Sequence, residues 1–202
     1  AREGEFAGDR FGETIAPAGD IQDNGGADLA VGAPGYDGGT GRVYVLKGED
    51  GVPFRTFDGD EYGDEFGRSL FGGLNITGGR EDAGYEAELL IGAPQYFTSR
   101  RGKVYVYTPR FTLGDQAGRL AVITGESADA RIGLSVAAIG DLDCDMRSGI
   151  VVGGQGYAAL HRGGGREPIT AEDALQDILD GVDPEGEDVG AIVAKLRETA
   201  GL

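Results

Sequence analysis

The chain is poor in the residues on which small secreted domains and many enzymes depend. Among its 202 residues there is one cysteine, Cys144, one histidine, His161, one methionine and no tryptophan. A lone cysteine excludes an internal disulfide, so packing, with or without metal, must hold the fold. Lysine is confined to Lys47, Lys103 and Lys195, and 35 acidic residues against 18 basic ones give a formal net charge of -17. Such a surface repels nucleic acid and anionic lipid. No apolar run approaches ~18 residues, so no membrane insertion is expected. The amino-terminal AREGEF has neither the basic nor the apolar region of a signal peptide, so any export signal is expected to have been removed or to lie outside this sequence. With no second histidine, no partnered cysteine and no nucleophile elbow, a hydrolase arrangement cannot be assembled. Cys144 sits between carboxylates that disfavour its thiolate. No enzyme is expected.

What the chain has in abundance is glycine, 39 residues, beside many short β-branched runs and 7 prolines. This composition predicts numerous short strands joined by tight turns, an all-β signature. The acidity admits two compatible readings: dense carboxylates can ligate cations, or they can keep a protein hydrated in concentrated salt, as in a halophile.

One pattern recurs three times in the first 165 residues. Its anchors are Phe11-Gly12, Phe66-Gly67 and Ile132-Gly133, and the segments Gly4 to Gly12, Gly59 to Gly67 and Gly125 to Gly133 align without gaps. Each anchor is followed by a polar loop and an apolar strand: LAVGAP ending at Pro34, LLIGAP ending at Pro94, IVVGGQ ending at Gln155. A glycine-led strand follows, Gly41 to Val45 and Gly102 to Val106, with a weaker counterpart around Tyr157 to His161. The spacings, 55 residues from Gly12 to Gly67 and 66 from Gly67 to Gly133, suit one four-stranded blade per repeat. Longer loops near Gly72 to Gly84 and Thr108 to Gly118 account for the difference.

This pattern resembles the FG-GAP repeat of the integrin alpha-chain propeller and of many secreted bacterial and archaeal proteins. A glycine-rich β-sandwich of chance similarity is the alternative. The resemblance implies a mainly β fold of about three propeller blades over residues 1–166. Propeller rings take typically 4–8 blades, and the third unit lacks an obvious fourth strand, so an incomplete ring is expected. Self-association, membership in a longer chain, or closure by another chain would then complete it.

The family carries a calcium loop of the form D-x-D/N-x-D-G-x-x-D between anchor and GAP strand, in which alternate residues turn oxygens inward and glycine allows a sharp bend. The first unit supplies Asp20, Gln22, Asn24 and Asp28, with Gly25 at the turn and Gly26 counted in the metal site; Gln22 departs from the usual shorter residue, and Asp23 could substitute by a small shift. The third supplies Asp141, Asp143 and Asp145, then departs at Met146 and Gly149, where a glycine and the closing aspartate are expected. The second, Asp82, Gly84, Glu86 and Glu88 with Arg80 near the first ligand position, is expected to be degenerate. Against these readings stands the ordinary use of Asp and Asn as turn formers.

From Pro168 the character changes. Ala171, Ala174, Leu175, Ile178 and Leu179 recur at helical spacing after a capping box at Thr170 and Asp173, and Val189, Ile192, Val193 and Leu196 suggest a second helix. Residues 167–202 therefore read as a helical hairpin, whose acidic connection lacks the alternation of a helix–loop–helix calcium site. Tyr44, Tyr105 and Tyr107 alternate with valines and read as packing residues; Tyr36, Tyr62 and Tyr96 are better placed for partner contact. Asn75-Ile-Thr77 is a glycosylation sequon, a weak signal. The function implied is a calcium (Ca2+) binding, extracellular or cell-surface propeller segment for adhesion, with a protein or glycan ligand. A non-catalytic scaffold module of a secreted enzyme and a structural assembly module are the alternatives.

Overall fold

The computed structural model describes residues 3–21, 24–74, 76, 88–95, 100–107, 118–141, 147–162 and 168–169. The first repeat forms β1 (Thr14–Gly19), β2 (Asp28–Ala33), β3 (Arg42–Leu46) and β4 (Pro53–Asp58). The second forms β5 (Ser69–Leu74), β6 (Glu88–Ala93), β7 (Lys103–Tyr107) and β8 (Arg119–Thr124). In the third, β9 (Ser135–Gly140) and β10 (Gly149–Gly154) are followed by β11 (Tyr157–His161), so the weak counterpart expected there is a regular strand. The chain divides into two compact units, Ala1–Arg166 and Glu167–Leu202. Of the second unit the described part is a two-residue strand, β12 (Pro168–Ile169); the expected helical hairpin lies outside the described residues.

Each repeat folds as an antiparallel meander in which sequential strands pair, the arrangement of a propeller blade. The GAP strand is second in every sheet. Val31 lies opposite Ile15 and Tyr44, Ile91 opposite Leu70 and Tyr105, and Val151 opposite Ala137 and Leu160. The first strands of successive repeats lie side by side, β1 beside β5 and β5 beside β9. A register shift recurs in all three blades where the first and second strands meet, at Pro17/Gly19, Gly72/Leu74 and Gly149/Ile150. Such bulges bend a strand and redirect the chain beyond it, here into the acidic loop.

Strand alternation gives each blade two faces, and both are apolar where a blade has neighbours on both sides. Ala18, Ala30, Val43, Val45 and Phe57 of the first blade pack on Phe66, Leu89, Ile91, Tyr105 and Tyr107 of the second. Leu90, Val104 and Val106, on the opposite face of the second blade, pack on Ala130, Ile132, Ile150 and Val152 of the third. The rings of Phe57 and Tyr107 lie 4.4 Å apart and those of Phe66 and Tyr105 5.2 Å apart across the first of these seams. Every residue of β6 is consequently buried, whereas the edge strand β8 alternates. Full burial of each Leu, Ile, Val or Phe contributes roughly 1.5–3 kcal/mol, so the seams between blades are a principal source of stability.

The anchors meet the GAP strands across these seams. A Cβ at Gly32 would lie 2.4 Å from the Gly67 carbonyl oxygen, and one at Gly92 would lie 2.2 Å from that of Gly133. Both positions therefore require glycine because the next repeat's backbone occupies the space a side chain would take.

Candidate functional site

The first acidic loop leaves the bulge at Gly19 and returns to the sheet at Asp28, the residue opposite it. Asp20 Oδ1 accepts a hydrogen bond from the Asn24 N–H at 3.0 Å and its Oδ2 accepts one from the Gly25 N–H at 2.7 Å. The Gly26 N–H donates to Asn24 Oδ1 at 2.9 Å. The loop is thus wound around the Asp20 carboxylate, with Gly25 in the left-handed region at φ 83° to make the bend.

Asp28 plays a different part. It is 1% exposed, and its Oδ2 accepts the Ile21 N–H at 3.0 Å while its Oδ1 accepts the Gly48 N–H at 2.9 Å. One carboxylate thereby fastens the start of the loop, the start of β2 and the hairpin after β3. Glu88 opens β6 at the equivalent position, is 0% exposed, and its Oε2 accepts the Ile76 N–H. Ile21 and Ile76 are both core residues, so in each blade the buried carboxylate holds an apolar side chain in place through its backbone. Glu88 was expected in a degenerate loop; it is instead the first residue of a strand and the structural counterpart of Asp28. Gly149 occupies this position in the third blade and carries no carboxylate.

Of the residues expected to hold metal, Asp20, Asn24, Gly26 and Asp28 come together in one short loop, while Gln22 lies outside the described residues. Asp141 is exposed at the end of β9; Asp143 and Asp145 lie outside the described residues, as do Asp82, Gly84 and Glu86. Among the described residues no three His, Cys, Asp or Glu side chains converge. The donors of the first loop are of the type hard cations take, since carboxylate oxygens that accept one N–H keep a second lone pair and amide and backbone oxygens complete such shells.

The chain is 30% identical over 162 residues to integrin alpha-5 of Xenopus laevis, covering 76% of this chain and 14% of that protein. It is 38% identical over 88 residues to integrin alpha-7 of Rattus norvegicus, covering 41% and 7%, and 40% identical over 90 residues to integrin alpha-IIb of Homo sapiens, covering 42% and 8%. The chain is an integrin-like FG-GAP propeller segment. No family model matches it. It spans about one seventh or less of the length of these relatives.

In these integrin-like blades the tyrosines behave as their alternation suggests. Tyr105 is buried and its hydroxyl donates to Asp60 Oδ2 at 3.0 Å, with Arg119 on the same carboxylate at 3.0 and 3.2 Å. Burial, and then Asp60, push its pKa up. The Tyr44 hydroxyl donates to Glu5 Oε1 at 2.8 Å, and burial with that bond pushes its pKa up to about 12. Tyr36 is half-buried with the Arg42 guanidinium 3.8 Å above its ring, whereas Tyr62 is exposed; Tyr96 lies outside the described residues. His161 is buried at the end of β11, where desolvation lowers its pKa against a smaller upward pull from Glu126.

Sequence reasoning missed the hydroxyl two residues after each anchor glycine. Thr14 Oγ1 donates to the Gly67 carbonyl and Ser69 Oγ to the Gly133 carbonyl. It also missed Asp9 and Asp64, which precede the anchors and accept the Phe6 and Glu61 N–H groups at 3.0 and 3.2 Å. Both sets were visible as recurring polar positions in the repeat alignment, although the third repeat has Ala130 where the others have aspartate.

Proposed function

We propose that this chain is a binding segment of an extracellular or cell-surface protein, engaging a protein or glycan partner, with the Asp20 to Asp28 loop holding a divalent cation of the calcium type. Three tandem blades joined by anchor-to-GAP contacts, together with the match to integrin alpha-5 over 76% of the chain, carry this reading. Asp20, Asn24 and Asp28 would supply side-chain oxygens and Gly26 a carbonyl, and Gln22 would complete the set. The cation would add positive charge to a loop that carries two carboxylates, Asp20 and Asp28, and so hold the loop to the sheet. Asp141, Asp143 and Asp145 would form a second, weaker site. The role proposed is binding and not turnover, as the likeness to integrin alpha chains suggests. Among the described residues no helix is long and apolar enough to cross a membrane.

The test is retention of protein or glycan ligands on an array by the chain in calcium, with and without EDTA. Retention that EDTA reverses supports the reading. Absence of retention under both conditions, or turnover of an arrayed substrate, overturns it in favour of a scaffold or enzymatic module.

A further inference from the structure

Asn24 and Asn75 are the asparagines of the chain, and of these Asn24 is followed by glycine. The neighbour matters because a backbone nitrogen can attack the side-chain carbonyl carbon of the asparagine before it, closing a five-membered succinimide ring and releasing ammonia. A β-branched neighbour obstructs this approach, as at Asn75-Ile76. Gly25 has no side chain, lies at φ 83°, and has nothing within 4 Å of the position a Cβ would take.

The fold adds what the dipeptide alone lacks. An amide nitrogen becomes a nucleophile as it loses its proton, and the Gly25 N–H donates to Asp20 Oδ2 at 2.7 Å, within the roughly 2.6–3.2 Å reach of a general base. Negative charge develops on Asn24 Oδ1 when its carbonyl carbon is attacked. The Gly26 N–H donates to that oxygen at 2.9 Å, the place of an oxyanion donor. The other Asp20 oxygen accepts the Asn24 N–H at 3.0 Å, so the base is tied to the attacked residue as well as to the attacking one. Asn24, Gly25 and Gly26 are exposed, which gives water access to the ring.

We propose that Asn24 is a self-modification site, deamidated within its own loop with Asp20 as general base, the Gly25 nitrogen as nucleophile and the Gly26 N–H as oxyanion donor. The step balances without an oxidant or reductant. Asp20 takes the Gly25 proton while the nitrogen bonds to Asn24 Cγ and the carbonyl electron pair moves onto Oδ1. As the carbonyl re-forms, the bond from Cγ to Nδ2 breaks, and Nδ2 takes the proton from Asp20 and leaves as ammonia. Water then opens the succinimide at one carbonyl or the other, giving aspartate or isoaspartate at position 24. None of these steps needs a cation. The consequence for binding rests on the reading of the loop as a divalent-cation site: the aspartate product adds a carboxylate to the loop of Asp20, and affinity for a hard cation rises with ligand charge.

The experiment is incubation of the full chain at neutral pH in EDTA, folded and in urea, beside Asp20→Asn, followed by peptide mass mapping over time. Deamidation adds about 1 Da at the modified residue. In the folded wild type Asn24 is expected to convert at least ~tenfold faster than in urea, and Asp20→Asn, which keeps the shape but not the base, to lose that acceleration. Asn75 in the same digests reports the general chemical ageing of the chain. Circular dichroism verifies that the variant folds, and the comparison with urea needs no variant. A folded chain that converts no faster than the unfolded one, or an Asp20→Asn protein as fast as wild type, overturns the proposal. Calorimetry of Asn24→Asp beside wild type reads the consequence separately, with ~tenfold tighter calcium binding expected. Equal affinity overturns that consequence, and no binding by either protein overturns the cation reading and leaves the deamidation to the mass data.

Discussion

The Thr14 hydroxyl donates a hydrogen bond to the Gly67 carbonyl at 2.7 Å, and these two residues belong to different blades, 53 positions apart. Ser69 and Gly133 repeat the relationship at 2.8 Å across the next seam. The acceptor is the anchor glycine of the following repeat, so the bond sets the registry between blades while the apolar faces supply the bulk of the free energy. Removing the hydroxyl leaves a part-buried carbonyl without this donor. Thr14→Val, which keeps the shape, is expected to lower stability by about 1–2 kcal/mol, and Thr14→Ser to stay near wild type. Urea denaturation of the three proteins checks both; equal loss in the Ser and Val variants would show that the methyl group, and not the hydroxyl, matters.

Gly32 and Gly92 make a steric prediction at the same seams. A Cβ at either would approach a carbonyl oxygen of the next blade within 2.4 Å, and backbone there cannot retreat without parting the sheets. Gly32→Ala and Gly92→Ala are each expected to cost about 2–3 kcal/mol or to prevent folding. Gly8→Ala, with nothing within 4 Å of its Cβ, is the matched control expected to be near neutral. Thermal melts of the three variants decide, and a Gly92→Ala protein as stable as the control would contradict the packing.

The blades were legible because the pattern repeats: the anchors, the GAP strands and the glycine-led strands each recur, and each turned out to be the expected strand or turn. The role of the two glycines was not, since a glycine's environment comes from a neighbour 35 or 41 positions away that no local pattern names. In the acidic loop the sequence identified Asp20, Asn24 and Asp28 as a group but treated them as equivalent oxygens. Asp28 and Glu88 differ from the rest because they begin strands, and burial turns a carboxylate into a fastening for backbone N–H groups. Chemical type gave the loop its likeness to a cation site; only the fold shows that one of its carboxylates, Asp28, also fastens backbone.

The buried carboxylates therefore predict a cation-independent penalty. Asp28→Ala leaves the Ile21 and Gly48 N–H groups without their acceptor, and Glu88→Ala does the same to Ile76. A loss of about 2–3 kcal/mol is expected for each in EDTA, with a further loss for Asp28 in calcium, where it would also ligate the cation. Denaturant titrations under both conditions measure it. A deficit at Asp28 that appears only in calcium would instead make that residue chiefly a metal ligand.

His161 predicts the acid limb of the stability profile. Burial lowers its folded pKa below the ordinary value of about 6.5, so between the two values the unfolded chain binds more protons than the folded one. Stability contributed by this neutral imidazole is therefore full above about pH 6.5 and declines as the pH falls below it. Replacing it by the uncharged His161→Gln is expected to flatten the profile between pH 5 and 7, read from melting temperatures at constant ionic strength. An unchanged slope would mean that other groups carry the dependence.

Asp20 is the residue that separates cation binding from architecture. Its two oxygens accept N–H bonds from its own loop, at Asn24 and Gly25, and these bonds lie at the exposed surface, unlike the buried bond that Asp28 accepts from Ile21. Removing it should therefore cost little in the absence of metal. If the loop holds calcium, binding favours the folded chain by mass action, and a ligand concentration 100 times the dissociation constant adds about 2.7 kcal/mol. Wild type is then expected to melt higher in calcium than in EDTA, and Asp20→Ala to match wild type in EDTA while losing most of the increment in calcium. Because a chain of net charge -17 is also stabilised by screening alone, sodium and magnesium at matched ionic strength must accompany the calcium series. Calorimetric titration supplies the second reading, one site fewer in Asp20→Ala than in wild type. Equal stoichiometry in the two proteins would remove the cation from this loop, while leaving the blades and their seams as described.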